Sequence, residues 1–135
     1  MKDMHRNIKV INAITPAAVG TSGAAGGKLS GVIDRRGYES VEFLFNYSTA
    51  GASTDTVTPI IYESDTATTA GFAAVADADL IGTEAAVVIS AAGASKIGYR
   101  GNKRYVGIRL YGVGHATGTV GAVAILGNPN IGPVA

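Results

Sequence analysis

Residues 38–47 alternate apolar and polar positions, with Val41, Phe43, Phe45 and Tyr47 on one face and Ser40, Glu42, Leu44 and Asn46 on the other. A period of two sustained over that length predicts a half-buried β-strand. Residues 104–111 repeat the pattern, turning Val106, Ile108 and Leu110 inward and Tyr105, Gly107, Arg109 and Tyr111 outward. The runs 57–63 and 119–126 are β-branched and apolar and end in turn residues, so they too read as strands; 85–90 and 96–99 are shorter candidates. Pro59 cannot donate to a sheet ladder, which places its strand at an edge or a bulge.

Between these runs lie segments rich in Gly, Ser, Thr and Asp at 50–55, 65–71, 91–93 and 112–118. Such residues supply positive φ and local side-chain hydrogen bonds, and they predict turns. Gly101-Asn102 reads as the tight turn of a hairpin. The alanine-rich stretch 70–81 has room for one helical turn near Asp77, and no longer helix is predicted. Several short strands separated by turns predict an all-β chain, a sandwich or a barrel.

The ends differ from the middle. Residues 7–15 read as a strand or an extended arm, with Ile8, Val10 and Asn12 on one face, and residues 20–27 are a Gly-rich, low-complexity loop expected to be flexible. The carboxy terminus carries Pro129 and Pro133 and no charge, which predicts an extended tail. The expected organisation is an arm with its loop over 1–27, a β-sandwich over 28–127 and a tail over 128–135.

Composition narrows the picture. With 135 residues, 47% of them hydrophobic, the chain can bury one core without metals or staples. Aromatics at 7%, no Trp and 19 Gly suggest a thin sandwich with many turns. The absence of Cys excludes disulfides, Cys-bound zinc and thiol nucleophiles. No stretch reads as a secretory signal or a membrane span. Asn46-Tyr47-Ser48 matches a glycosylation acceptor but reads as a strand end.

The net charge of +1 hides a segregation. No Lys or Arg occurs between Arg36 and Lys96, whereas Glu39, Glu42, Asp55, Glu63, Asp65, Asp77, Asp79 and Glu84 all fall there. The bases Lys96, Arg100, Lys103, Arg104 and Arg109 follow in one segment, and no Asp, Glu, Lys or Arg follows them. Opposed patches orient a protein against a partner or another copy of itself. These five bases are therefore the candidate interaction residues. They interleave with Tyr99 and Tyr105 as in single-stranded nucleic-acid binders, but bases flanking a turn fit an intermolecular or cross-strand ionic role better.

Catalytic equipment is not apparent. His5 and His115 lie in no metal-ligand spacing, and the pairs Asp77/Asp79 and Glu63/Asp65 lack the Gly and terminal Glu of a calcium loop. Gly112, Gly114 and Gly118 are misspaced for a dinucleotide loop, and no G-x-S-x-G elbow occurs. A carboxylate pair for glycoside hydrolysis remains open, with few aromatics to line its groove. The expectation is a non-enzyme with no catalytic residue, cofactor or metal.

The strand opening at residues 37–40, then residues 58–65, 75–82 and 97–108 and the ending Gly127-Asn128-Pro129, resemble the capsid decoration, or cement, proteins of tailed bacteriophages. The resemblance covers residues 37–129 and is carried by overall cadence rather than by one motif. It implies a jelly-roll-like antiparallel sandwich that binds the outside of the phage head and stabilises the lattice of the major capsid protein. It also implies a homo-dimer or homo-trimer located in the virion, and in host cytoplasm during assembly; from the residues themselves no membrane partner is expected, and nucleic acid is the less favoured one. Two other readings stand beside it. One is a head-tail connector or tail component; the other is a carbohydrate or small-ligand module, for which Tyr99, Tyr105 and Tyr111 are the candidate platform.

Overall fold

A computed structural model describes residues 3–19, 26–48, 55–88, 91–113 and 118–131. Among the described residues eleven strands run in chain order: β1 (Ile8–Ala18), β2 (Lys28–Leu29), β3 (Ile33–Asp34), β4 (Tyr38–Tyr47), β5 (Thr56–Ser64), β6 (Ala73–Ala74), β7 (Leu80–Ile81), β8 (Val87–Val88), β9 (Gly93–Tyr99), β10 (Tyr105–Val113) and β11 (Thr119–Pro129). Single 3-10 turns occupy His5–Asn7, Thr69–Gly71 and Asp77–Asp79. The last is the turn expected near Asp77.

The strands form two antiparallel sheets. One has the order β1-β11-β4-β9-β7; the other has β2-β10-β5-β6, with β3 also pairing β10 and β8 also pairing β5. The alternations in the sequence are reproduced in burial: Val41, Phe43 and Phe45 of β4 and Val106, Ile108 and Leu110 of β10 are all at most 2% exposed. The two inner faces meet in one core. Burying each such side chain contributes about 1.5–3 kcal/mol.

Small and large residues alternate across this core. Phe43 lies opposite Ala124 and Phe45 opposite Ala122 in the β4–β11 ladder. Two alanines on β11 leave room for two phenyl rings on β4, and all four side chains are buried. This explains how an alanine-rich chain fills a sandwich.

Pro59 sits where its missing N–H removes nothing. On an antiparallel strand, successive residues direct their N–H and C=O alternately to the two sides. Ile61 turns both groups away from β10: its N–H donates to Glu84 Oε1 and its carbonyl accepts from Val75 N at 3.0 Å. Pro59, two residues earlier, therefore faces the same gap, between β8 at Thr56–Val57 and β6 at Tyr62–Glu63.

Two expectations need correction. Residues 8–18 form a strand of the sandwich, paired with β11 from Ile8↔Gly127 to Ala18↔Thr119. Ile14 and Val19 lie in the core, so the sandwich extends into the expected arm. Register shifts between Asn12 and Ile14 and between Ile14 and Ala17 break the period of two that would have revealed this. At the other end β11 continues to Pro129, opposite Tyr38, and Asn130 N donates to Gly37 O at 2.9 Å. Residues 20–25 of the Gly-rich loop and residues 132–135 of the tail lie outside the described residues.

The second correction concerns the turn at Gly101-Asn102. β9 pairs with β4 and β7, whereas β10 pairs with β5, β2 and β3, so the segment 100–104 crosses from one sheet to the other instead of closing a hairpin. Both strands have a buried apolar face, and crossing lets those faces meet through the core. The connection from β10 to β11 also changes sheets, and its residues 114–117, including His115, lie outside the described residues.

Candidate functional site

The crossover 100–104 carries three of the five candidate bases, and its shape is set by Tyr99. That ring is 2% exposed. Its hydroxyl donates to Glu63 Oε2 on the opposite sheet at 2.6 Å and accepts from Lys103 N at 3.0 Å. The guanidinium of Arg35 lies 5.3 Å from the ring centroid. Gly101 makes this path possible, because a Cβ there would fall 2.5 Å from the Tyr99 hydroxyl oxygen.

The bases on the crossover are engaged within the chain. Arg100 donates from Nε and Nη2 to Ala78 O at 3.0 and 2.8 Å, and its backbone N donates to Asp79 O at 2.9 Å. It thereby clamps the 3-10 turn at Asp77–Asp79. Lys103 pairs with Asp65. Arg104 grips Asp34 with a fork, Nε to Oδ1 at 3.0 Å and Nη2 to Oδ2 at 2.6 Å, while its guanidinium lies 4.9 Å from the Tyr105 ring centroid.

These contacts shift the groups in matching directions. The Arg104 hydrogen bond holds the Asp34 carboxyl below its usual range, assisted by the Arg36 backbone N–H. Asp65 raises Lys103 and Asp34 raises Arg104, each chiefly through the shared hydrogen bond. Burial, then the hydrogen bond to Glu63, pushes the Tyr99 phenol well up.

The other two bases are elsewhere. Lys96 is exposed on the outer face of the five-stranded sheet, opposite Leu44. Arg109 is half-buried on the outer face of the other sheet, with its guanidinium 5.7 Å from the Tyr62 ring centroid, and Tyr62 stacks on Phe72 at 5.6 Å and 17°. Phe72 lies over Gly107, where a Cβ would come within 2.6 Å of the ring. The basic segment is thus divided among a crossover and two opposite faces.

Sequence reasoning missed the outer face of the five-stranded sheet. Val10 is 57% exposed, Ile81 58% and Leu44 39%. A depression of about 220 Å³ adjoins Leu44, lined also by Asn12, Pro16, Asn46 and Val123. The available signal was Leu44 itself, an apolar residue on the polar side of a clean alternation.

No group of three or more His, Asp or Glu placed to hold a metal ion occurs among the described residues. No helix among them is long and apolar enough to cross a membrane. A scan against models of known protein families finds no match, and a search of curated proteins finds none either.

Proposed function

We propose that this chain is a structural virion protein that binds the outer surface of a tailed-phage head and stabilises the lattice of the major capsid protein. The strand order is the observation that carries the reading. With β2 and β3 counted as one strand, β6 and β8 as another and the short β7 set aside, eight strands remain, interleaved between two sheets. That interleaving supports a jelly roll, an architecture that recurs in viral capsid and lectin domains.

The edges also favour contact through faces and loops. β1 is the long edge strand, and Lys9, Pro16 and two register shifts make it a poor template for another chain. A head protein repeated around a shell can rely on modest contacts at each copy, because avidity holds the whole.

The glycan reading is weakened at its platform. Tyr99 is buried, and Tyr105 is occupied by the Arg104 guanidinium. A glycan array probed with free protein would show binding if that reading were right; the virion reading expects none.

Cosedimentation with mature and expanded shells purified without this protein tests the proposal. Saturable binding at a fixed number of copies per shell is expected, and recovery of all the protein in the supernatant would refute it.

A further inference from the structure

We infer that the outer face of the five-stranded sheet is an interface between two copies of this chain, packed face to face about a two-fold axis so that Glu42 of each copy meets Lys96 of the other. The inference does not depend on the virion reading.

The register defines the face. One row crosses the sheet as Val10, Ile125, Glu42, Gly98 and Ile81, and the next as Asn12, Val123, Leu44 and Lys96. Five aliphatic side chains thus surround one acid and one base. Three of them are among the chain's exposed large hydrophobics: Val10, Leu44 and Ile81. Gly98 has no side chain, and the Glu42 carboxylate occupies the space above it, Oε2 lying 2.8 Å from where a Cβ would stand.

The charges favour a second copy over an unrelated apolar partner. One carboxylate and one ammonium on neighbouring strands are self-complementary under a two-fold rotation, which is the requirement of an isologous interface. Among the described residues neither Glu42 nor Lys96 has an ion-pair partner within 4 Å, whereas Lys103 and Arg104 are already paired.

The area is sufficient. The five strands, about 4.8 Å apart and from two residues (β7) to eleven (β1 and β11) long, present about 600 Å² per copy. Two copies would then bury about 1,200 Å², at the lower end of specific interfaces. The dimer should therefore dissociate on dilution.

Sedimentation velocity from low-micromolar to near-millimolar protein tests this, with circular dichroism and thermal melts confirming that each variant is folded. Wild type should dimerise with concentration. Lys96→Glu and Glu42→Lys should each weaken dimerisation on the order of a hundredfold, since each places two like-charge contacts in the interface. An equimolar mixture of the two variants should restore dimers, because opposite charges then meet at both contacts. Leu44→Asp, at an exposed position, should be monomeric and folded. A wild type that stays monomeric throughout would overturn the inference and leave the face to a different partner. Dimers that survive either charge reversal, or variants that fail to rescue each other, would also overturn it.

Discussion

The Tyr99 hydroxyl donates to Glu63 across the core, tying β9 of one sheet to β5 of the other, and the same oxygen holds the Lys103 amide of the crossover. Tyr99→Phe keeps the ring and removes both bonds. It leaves Lys103 N–H and a partly buried carboxylate without that partner, so a loss of about 1–3 kcal/mol is expected in denaturant unfolding. The raised phenol pKa adds a pH signature. A group whose folded pKa lies above its unfolded value stabilises the fold below the unfolded pKa and loses that contribution as pH rises. Wild type should therefore lose stability above about pH 10 more steeply than Tyr99→Phe.

Glycines at two close approaches should tolerate no methyl group. Gly101→Ala would press on the Tyr99 hydroxyl oxygen at 2.5 Å, and Gly107→Ala on the Phe72 ring at 2.6 Å. Each should cost about 1–3 kcal/mol, as overpacking does. The Gly107→Ala loss should shrink in a Phe72→Ala background, because the ring it strikes is gone. Equal losses in both backgrounds would remove Phe72 as the cause.

Glu84 completes the gap in the sheet edge beside Pro59 by accepting the Ile61 N–H. Glu84→Ala leaves that amide unpaired at a residue with no exposure, and a loss of about 1–3 kcal/mol is expected. Glu84→Gln should behave differently. Burial, the largest influence, raises the Glu84 carboxyl, with Asp77 adding to it and the Ile61 hydrogen bond opposing. The protonated form is therefore favoured by folding, and its contribution is present at acid pH and fades as pH rises through the raised pKa. Melts from pH 4 to pH 7 should show Glu84→Gln gaining on wild type as pH rises.

Asp34 titrates in the opposite sense. Its lowered pKa means that the contact with Arg104 stabilises above the usual aspartate range and is lost as pH falls through the lowered value. Both side chains are more than 40% exposed, at 46% and 42%, so Arg104→Ala should change neutral-pH stability little. It should flatten the acid limb of the stability profile, and so should Asp34→Asn. An acid limb that is unchanged in both would show that the fork is not coupled to folding.

Strands were legible in the sequence wherever alternation was clean. β4 and β10 were predicted face for face, and the runs that became β5 and β11 were found from their composition. Sheet membership was not legible, because an inward-facing period of two looks the same whether the next strand lies beside it or across the core. The hairpin expected at Gly101-Asn102 failed for that reason. Tyr99 fits the same account: as the last residue of β9 beside a charged loop it looked exposed, yet Glu63 and Lys103 satisfy its hydroxyl and allow the ring to be buried. The cluster of bases was real in sequence and dispersed in space, since consecutive strands lie in different sheets.

We propose that this chain stabilises an assembled shell. Heating shells purified without it, with and without saturating protein, and recording the disassembly temperature by scanning calorimetry measures that directly. Anything that binds the assembled lattice but not its dissociated subunits must raise that temperature in proportion to the logarithm of its concentration above the dissociation constant. The account predicts a higher disassembly temperature that rises with added protein. An unchanged temperature at saturating protein would contradict it.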